Sequence, residues 1–137
     1  MKIKTKYTPK RLTTIAYVAL ICIGISLIIG RWYNVFNENF FIISEEINLH
    51  ISNFSISLIF YLATGYLWLL FGMKIRNIAI LGFIIMIANF ICETLMTFMN
   101  TTDIIDAIYG ATGTILGFVF LLLADKYGFQ KDDTLTD

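Results

Sequence analysis

Six ionisable residues lie at the ends of apolar stretches and are the candidates for chemistry. Glu46 and His50 are four residues apart, so a helix would place the carboxylate one turn from the imidazole, where it can orient the ring. Asp103 and Asp106 are three residues apart and would share a helix face. The full set is Arg31, Glu46, His50, Glu93, Asp103 and Asp106. Such a set suits the binding of a cationic or polar ligand.

The elements that position these residues are predicted to be membrane-spanning helices. The 137 residues are 58% hydrophobic and 15% charged, whereas soluble domains carry about 25% charged residues. A span needs about 20 apolar residues, and four uncharged stretches of suitable length occur. Lipid cannot satisfy an open strand edge, so each span should be helical. We therefore predict an all-α integral membrane four-helix bundle, a single domain over residues 1–137, with spans of about 12–30, 49–72, 77–98 and 104–124.

The distribution of basic residues predicts the orientation. Lys and Arg in short connectors stay on the cytoplasmic side of a membrane. Nine of the ten fall in the two tails or between spans two and three: Lys2, Lys4, Lys6, Lys10, Arg11, Lys74, Arg76, Lys126 and Lys131. Both termini are predicted to be cytoplasmic, which places the six candidate residues at the outer side, in or near the outer leaflet. The composition excludes a soluble enzyme and a nucleic-acid-binding module.

Four of the six candidate residues also have a purely structural interpretation. Glu93 lies about 24 Å along span three, where it is either a functional carboxylate or a hydrogen-bonded interface residue. Asn89, Thr97 and Asn100 would share its face. Asp103 is suited to capping the fourth helix, His50 to a polar interface anchor, and Arg31 to pairing with one of the nearby acids.

Glycines on the fourth span predict a close helix contact. Gly110, Gly113 and Gly117 recur at helical spacing after Asp106, and Gly113 with Gly117 forms a small-xxx-small pattern. The face that packs against another helix would therefore also carry Asp106 into the bundle.

These motifs resemble the VanZ-like family of small bacterial membrane proteins. The similar features are Glu46-x-x-x-His50, Glu93, the pair Asp103 and Asp106, and Gly113-x-x-x-Gly117. The chain has Ile47, Met96 and Gly110 where the family usually has Lys, Gln and Asn, and the family's Arg before the Asp run is missing. The resemblance implies an inner-membrane protein of the bacterial cell envelope, in a family whose founding member is linked to glycopeptide antibiotic resistance.

Three functions are compatible with these residues. The preferred one is a binding or accessory protein whose outer acidic pocket holds a cationic or polar envelope ligand or a partner protein's helix. The alternatives are an intramembrane enzyme acting on a lipid-linked envelope precursor and a proton-coupled transporter subunit. The sequence spacing contains no metal-ligand or nucleophile–base signature, so catalysis is not favoured and no cofactor or metal site is predicted. On ligand type alone, binding of a hard cation by Glu46, Glu93 and Asp106 is an open alternative. The expected partners are the lipid bilayer and an envelope precursor or a membrane protein. Whether the chain also forms a homo-oligomer is an open question at this point.

Overall fold

The computed structural model describes residues 6–37, 44–95 and 103–131. Within them the chain forms four helices, all long and apolar enough to cross a membrane, which confirms the predicted all-helical, four-helix character. The elements in chain order are β1 (Tyr7–Pro9), α1 (Arg11–Phe36), α2 (Glu45–Leu70), α3 (Ile75–Leu95), α4 (Ile104–Leu123) and β2 (Phe129–Lys131). A π-helical turn, Ala124–Gly128, joins α4 to β2.

The boundaries of α1 and α2 differ from the predicted spans at the end of the molecule where α1 stops and α2 begins. Helix α1 continues past Gly30 to Phe36, so Arg31 lies inside the helix rather than after it. Helix α2 starts at Glu45, where the Ser44 hydroxyl accepts a hydrogen bond from the Ile47 amide at 3.3 Å. The acidic first turn that follows complements the positive helix N-terminus.

Helices α2 and α4 form the centre of the molecule. They share the largest helix–helix interface, and because α3 returns the chain across the molecule, α2 and α4 run in the same direction. In their apolar windows 44% and 39% of residues are buried, against 11% in each of α1 and α3. Helix α1 contacts mainly α2, and α3 mainly α4. The outer helices therefore expose apolar side chains in the way that lipid-facing helices do.

Small residues on α4 allow the central contact to be close. A Cβ atom added to Gly113 would collide with the Phe54 carbonyl oxygen on α2, so the two backbones touch at this point. One turn further along, Gly117 faces the Tyr61 ring. The Tyr61 side chain is fully buried, and its hydroxyl donates to the Ile78 carbonyl of α3 at 2.7 Å. These contacts fix the relative positions of three helices.

A short antiparallel pairing joins the two ends of the chain. Strand β1 pairs with β2, with Thr8 opposite Gln130, a pairing that no local pattern in the sequence predicted. The Lys10 amide also donates to the Gly128 carbonyl at 2.8 Å. Nearby, the α2–α3 turn uses Gly72 at φ 81°, a conformation that glycine adopts without strain. We call this the tail end of the molecule, and the opposite end, where α2 and α4 begin, the site end.

Candidate functional site

Three of the predicted site residues meet at the site end. The His50 Nδ1 atom lies 2.8 Å from Asp106 Oδ1 and 3.7 Å from Asp103 Oδ2. His50 comes from the second turn of α2, and the two acids from the start of α4. We call these three residues the His–Asp cluster. Because α2 and α4 run in the same direction, their N-terminal ends lie side by side, and residues more than 50 positions apart become neighbours.

The imidazole of His50 is held firmly. The residue is 7% exposed, and its ring lies 5.4 Å, centroid to centroid, from the ring of Tyr109 on α4. Asp106 Oδ1 lies within hydrogen-bond distance of Nδ1, and when Nδ1 is the donor the neutral ring has its free lone pair on Nε2. The arrangement orients the ring much as a carboxylate orients a functional histidine.

Asp103 uses its two oxygens differently. Its Oδ1 atom accepts a hydrogen bond from the Ile105 amide at 2.9 Å, which caps the N-terminus of α4. Its Oδ2 atom faces His50. The Asp103 side chain is 37% exposed and that of Asp106 19%, so the cluster extends from the buried imidazole to the surface. The capping role considered for Asp103 and its place beside His50 are therefore compatible.

Glu46 does not orient the imidazole. The sequence suggested that its carboxylate holds His50, but within the described residues the acids that contact His50 are Asp103 and Asp106. Glu46 is exposed in the first turn of α2, whereas His50 faces α4. An interhelical contact replaces the intrahelical one because the ring points into the α2–α4 interface.

Arg31 and Glu93 lie outside the His–Asp cluster. In the part of the chain that the structure describes, Arg31 forms no ion pair with an acid, in contrast to its expected pairing. Glu93 is partly buried on α3 but does not belong to the group of ligand atoms around His50. The structure thus brings three of the six candidates together. Thr97 and Asn100, predicted to share the Glu93 face, lie outside the described residues.

A second polar contact between helices lies deeper in the bundle than the His–Asp cluster. The Asn89 side-chain amide on α3 donates to the Ser57 hydroxyl on α2 at 3.0 Å, and Asn89 also lies against Gly110 of α4. The sequence predicted a polar face through Asn89 but did not identify Ser57 as its partner. The sequence also did not identify Tyr109 as a neighbour of His50. Tyr109 lies three residues after Asp106, and this helical spacing places both side chains on one face of α4, a signal that could have identified it.

No protein-family model, no curated protein and no solved structure matches this chain. The similarity to VanZ-like proteins therefore remains a prediction from the motifs.

Proposed function

We propose that this chain is a small VanZ-like protein of the bacterial inner membrane that binds a cationic or polar cell-envelope ligand at the outer end of its helices. The observation that supports the proposal is the His–Asp cluster, in which two carboxylates lie within 3.7 Å of the same imidazole nitrogen. An ionisable group near the membrane is costly unless it is paired, so three of them at one place favour a binding role.

The surrounding charge supports the outer location. The basic residues Lys6, Lys10, Arg11, Lys74, Arg76 and Lys126 all lie at the tail end, around the β1–β2 pairing and the α2–α3 turn. The positive-inside rule then assigns the tail end to the cytoplasm and the His–Asp cluster to the outer face. An acidic group there is accessible to envelope precursors and to cationic headgroups.

The geometry of the His–Asp cluster also supports the resemblance to VanZ-like proteins. Of the residues that carry it, His50, Asp103 and Asp106 form the cluster, and Gly113 makes the helix contact two turns below Asp106. A shared motif whose members meet in space is more consistent with a common binding site than a set of scattered residues would be.

A binding experiment with purified full-length protein tests the proposal. The protein is placed in lipid nanodiscs, and its melting temperature is measured with a lipid-linked cell-wall precursor and, separately, with lysyl-phosphatidylglycerol as a cationic lipid. We expect at least one of them to raise the melting temperature, and Asp106→Asn to remove that increase. Asp125→Asn is the matched control because Asp125 is exposed at the tail end. Equal shifts in both variants would reject the cluster as the binding site.

An intramembrane enzyme is the second candidate, favoured by the orientation of His50. With Nδ1 donating to Asp106, the Nε2 atom has the lone pair required of a general base. Against this role, no hydroxyl or thiol within the described ranges is hydrogen-bonded to the imidazole. Product formation from the lipid-linked precursor, abolished by His50→Gln, would favour the enzyme over the binding protein.

A further inference from the structure

The His–Asp cluster has the donor set of a transition-metal site. Imidazole nitrogen and carboxylate oxygen together are ligands for Zn²⁺, Mn²⁺ and Fe²⁺, whereas Ca²⁺ and Mg²⁺ prefer oxygen alone. His50, Asp103 and Asp106 each offer one such atom, and these atoms lie within 4.8 Å of one another. We propose that the cluster binds one first-row divalent transition-metal ion, with His50 Nδ1 and one oxygen from each aspartate as ligands.

The distances are compatible with a shared ion. An ion bound at about 2.1 Å from each donor can bridge two donors that are up to about 4.2 Å apart. The distances from His50 Nδ1 to Asp106 Oδ1 and Asp103 Oδ2, 2.8 and 3.7 Å, are both below that limit. The third separation, between one oxygen of Asp103 and one of Asp106, is at most 4.8 Å, so a small rotation of one carboxylate brings it within the limit.

The charges of the cluster favour a dication. A neutral imidazole with two ionised aspartates carries two negative charges, which one divalent ion neutralises. Binding at Nδ1 would displace the proton that this nitrogen donates to Asp106 in the metal-free state, and the neutral ring would then carry its one proton on Nε2, with no net release of a proton. Near a membrane the neutralised site is more favourable than two carboxylates that share one imidazole.

The site is preorganised on two helices rather than on a loop. The contact between Gly113 and the α2 backbone fixes the separation of the helices, and Tyr109 packs beside the ring of His50. The Asp103 oxygen that caps α4 is not the one that faces His50, so metal binding leaves the cap intact. Rigid placement of this kind lowers the reorganisation that a metal site requires.

Three protein ligands leave open coordination positions. Structural Zn²⁺ sites are closed by four protein ligands, and sites with three retain a position for water or an external ligand. The role of this open position rests on the proposed function, because the bound ion would present it to a phosphate, carboxylate or amide of the envelope ligand. The ion would then be the direct contact between the protein and a polar ligand.

Metal titration of the full-length protein in nanodiscs tests the inference. All proteins carry Cys22→Ser and Cys92→Ser, because exposed free thiols would add Zn²⁺ ligands unrelated to the cluster. After treatment with a chelator, Zn²⁺ binding is measured by calorimetry and metal content by mass spectrometry. We expect one Zn²⁺ per chain, loss of affinity of more than about 100-fold in His50→Gln, and no change in Asp125→Asn. Co²⁺ should give visible absorption bands in the parent protein that are absent from His50→Gln.

A second variant keeps the test valid if His50→Gln fails to fold. Asp103→Asn removes a charge but preserves the N-cap, because Asn caps helices as well as Asp does. We expect a Zn²⁺ affinity at least about tenfold lower with unchanged helix content by circular dichroism. Equal Zn²⁺ binding in the parent protein and in both folded variants would overturn the inference, as would tighter binding of Mg²⁺ than of Zn²⁺.

The failure of this inference is distinguishable from that of the proposed function. A melting-temperature increase with the lipid-linked precursor that persists in chelator would retain the proposed binding function and overturn the ion as the contact between the protein and its ligand. Zn²⁺ binding without any response to either lipid would support the metal site and overturn the envelope ligand. Absence of both responses would overturn both.

Discussion

His50 on α2 and Asp106 on α4 are 56 residues apart in the sequence, yet their side chains are joined at 2.8 Å. The contact links the N-terminal ends of two central helices that run in the same direction. The contact joins two of the three residues of the His–Asp cluster.

Removal of Asp106 should destabilise the protein. Asp106→Ala leaves the Nδ1 group of a nearly buried imidazole without its nearest partner, which costs about 1–3 kcal/mol. The free energy of unfolding in mild detergent, measured by denaturant titration, checks this. Asp125→Ala, at an exposed position, should change stability by less than about 0.5 kcal/mol. An equal loss in the two variants would show that the interhelical contact contributes nothing.

Gly113→Ala should be more damaging than Gly110→Ala. A methyl group at Gly113 meets the backbone of α2, which can yield only if the helices separate, whereas at Gly110 it meets the Asn89 side chain, which can rotate. We expect a loss of about 1–3 kcal/mol for Gly113→Ala and a smaller one for Gly110→Ala. Thermal unfolding of both, with the exposed Thr112→Ala as control, provides the comparison. The reverse order would contradict the close contact between α2 and α4.

The Asn89–Ser57 hydrogen bond should couple α3 to α2. A double-mutant cycle with Asn89→Ala and Ser57→Ala is expected to give a coupling energy of about 0.6 kcal/mol, the average for polar contacts between membrane helices. Additive effects of the two substitutions, within error, would mean that the two side chains act independently.

The tail end should lie in the cytoplasm. In a background with Cys22→Ser and Cys92→Ser, a cysteine at Thr8 or Gln130 should react with a membrane-impermeant maleimide only after the cells are opened. A cysteine at the exposed Glu45 should react in intact cells. Labelling of Thr8→Cys and Glu45→Cys from the same side would contradict a membrane-spanning α1, and the opposite pattern would reverse the orientation.

The sequence by itself determined the number and character of the helices. Long uncharged stretches separated by charged connectors can form only spanning helices in lipid, because the backbone must satisfy its own hydrogen bonds. The glycine spacing on α4 likewise predicted a close-packed face, since that periodicity is local to one helix. The identities of His50, Asp103 and Asp106 as candidates also came from local features, namely their charge and their positions beside apolar stretches.

Only the tertiary structure decided which of the candidates meet. The sequence paired His50 with Glu46 because both lie on one helix, but the direction of the ring depends on how α2 packs against α4. The same holds for the β1–β2 pairing, which joins residues about 120 positions apart and has no local signal. Local periodicity fixes which face of a helix a residue occupies, whereas the neighbour on that face depends on which helices pack together and how closely. In this protein Gly113 lets α4 approach α2 closely, and this packing places Asp106 beside His50.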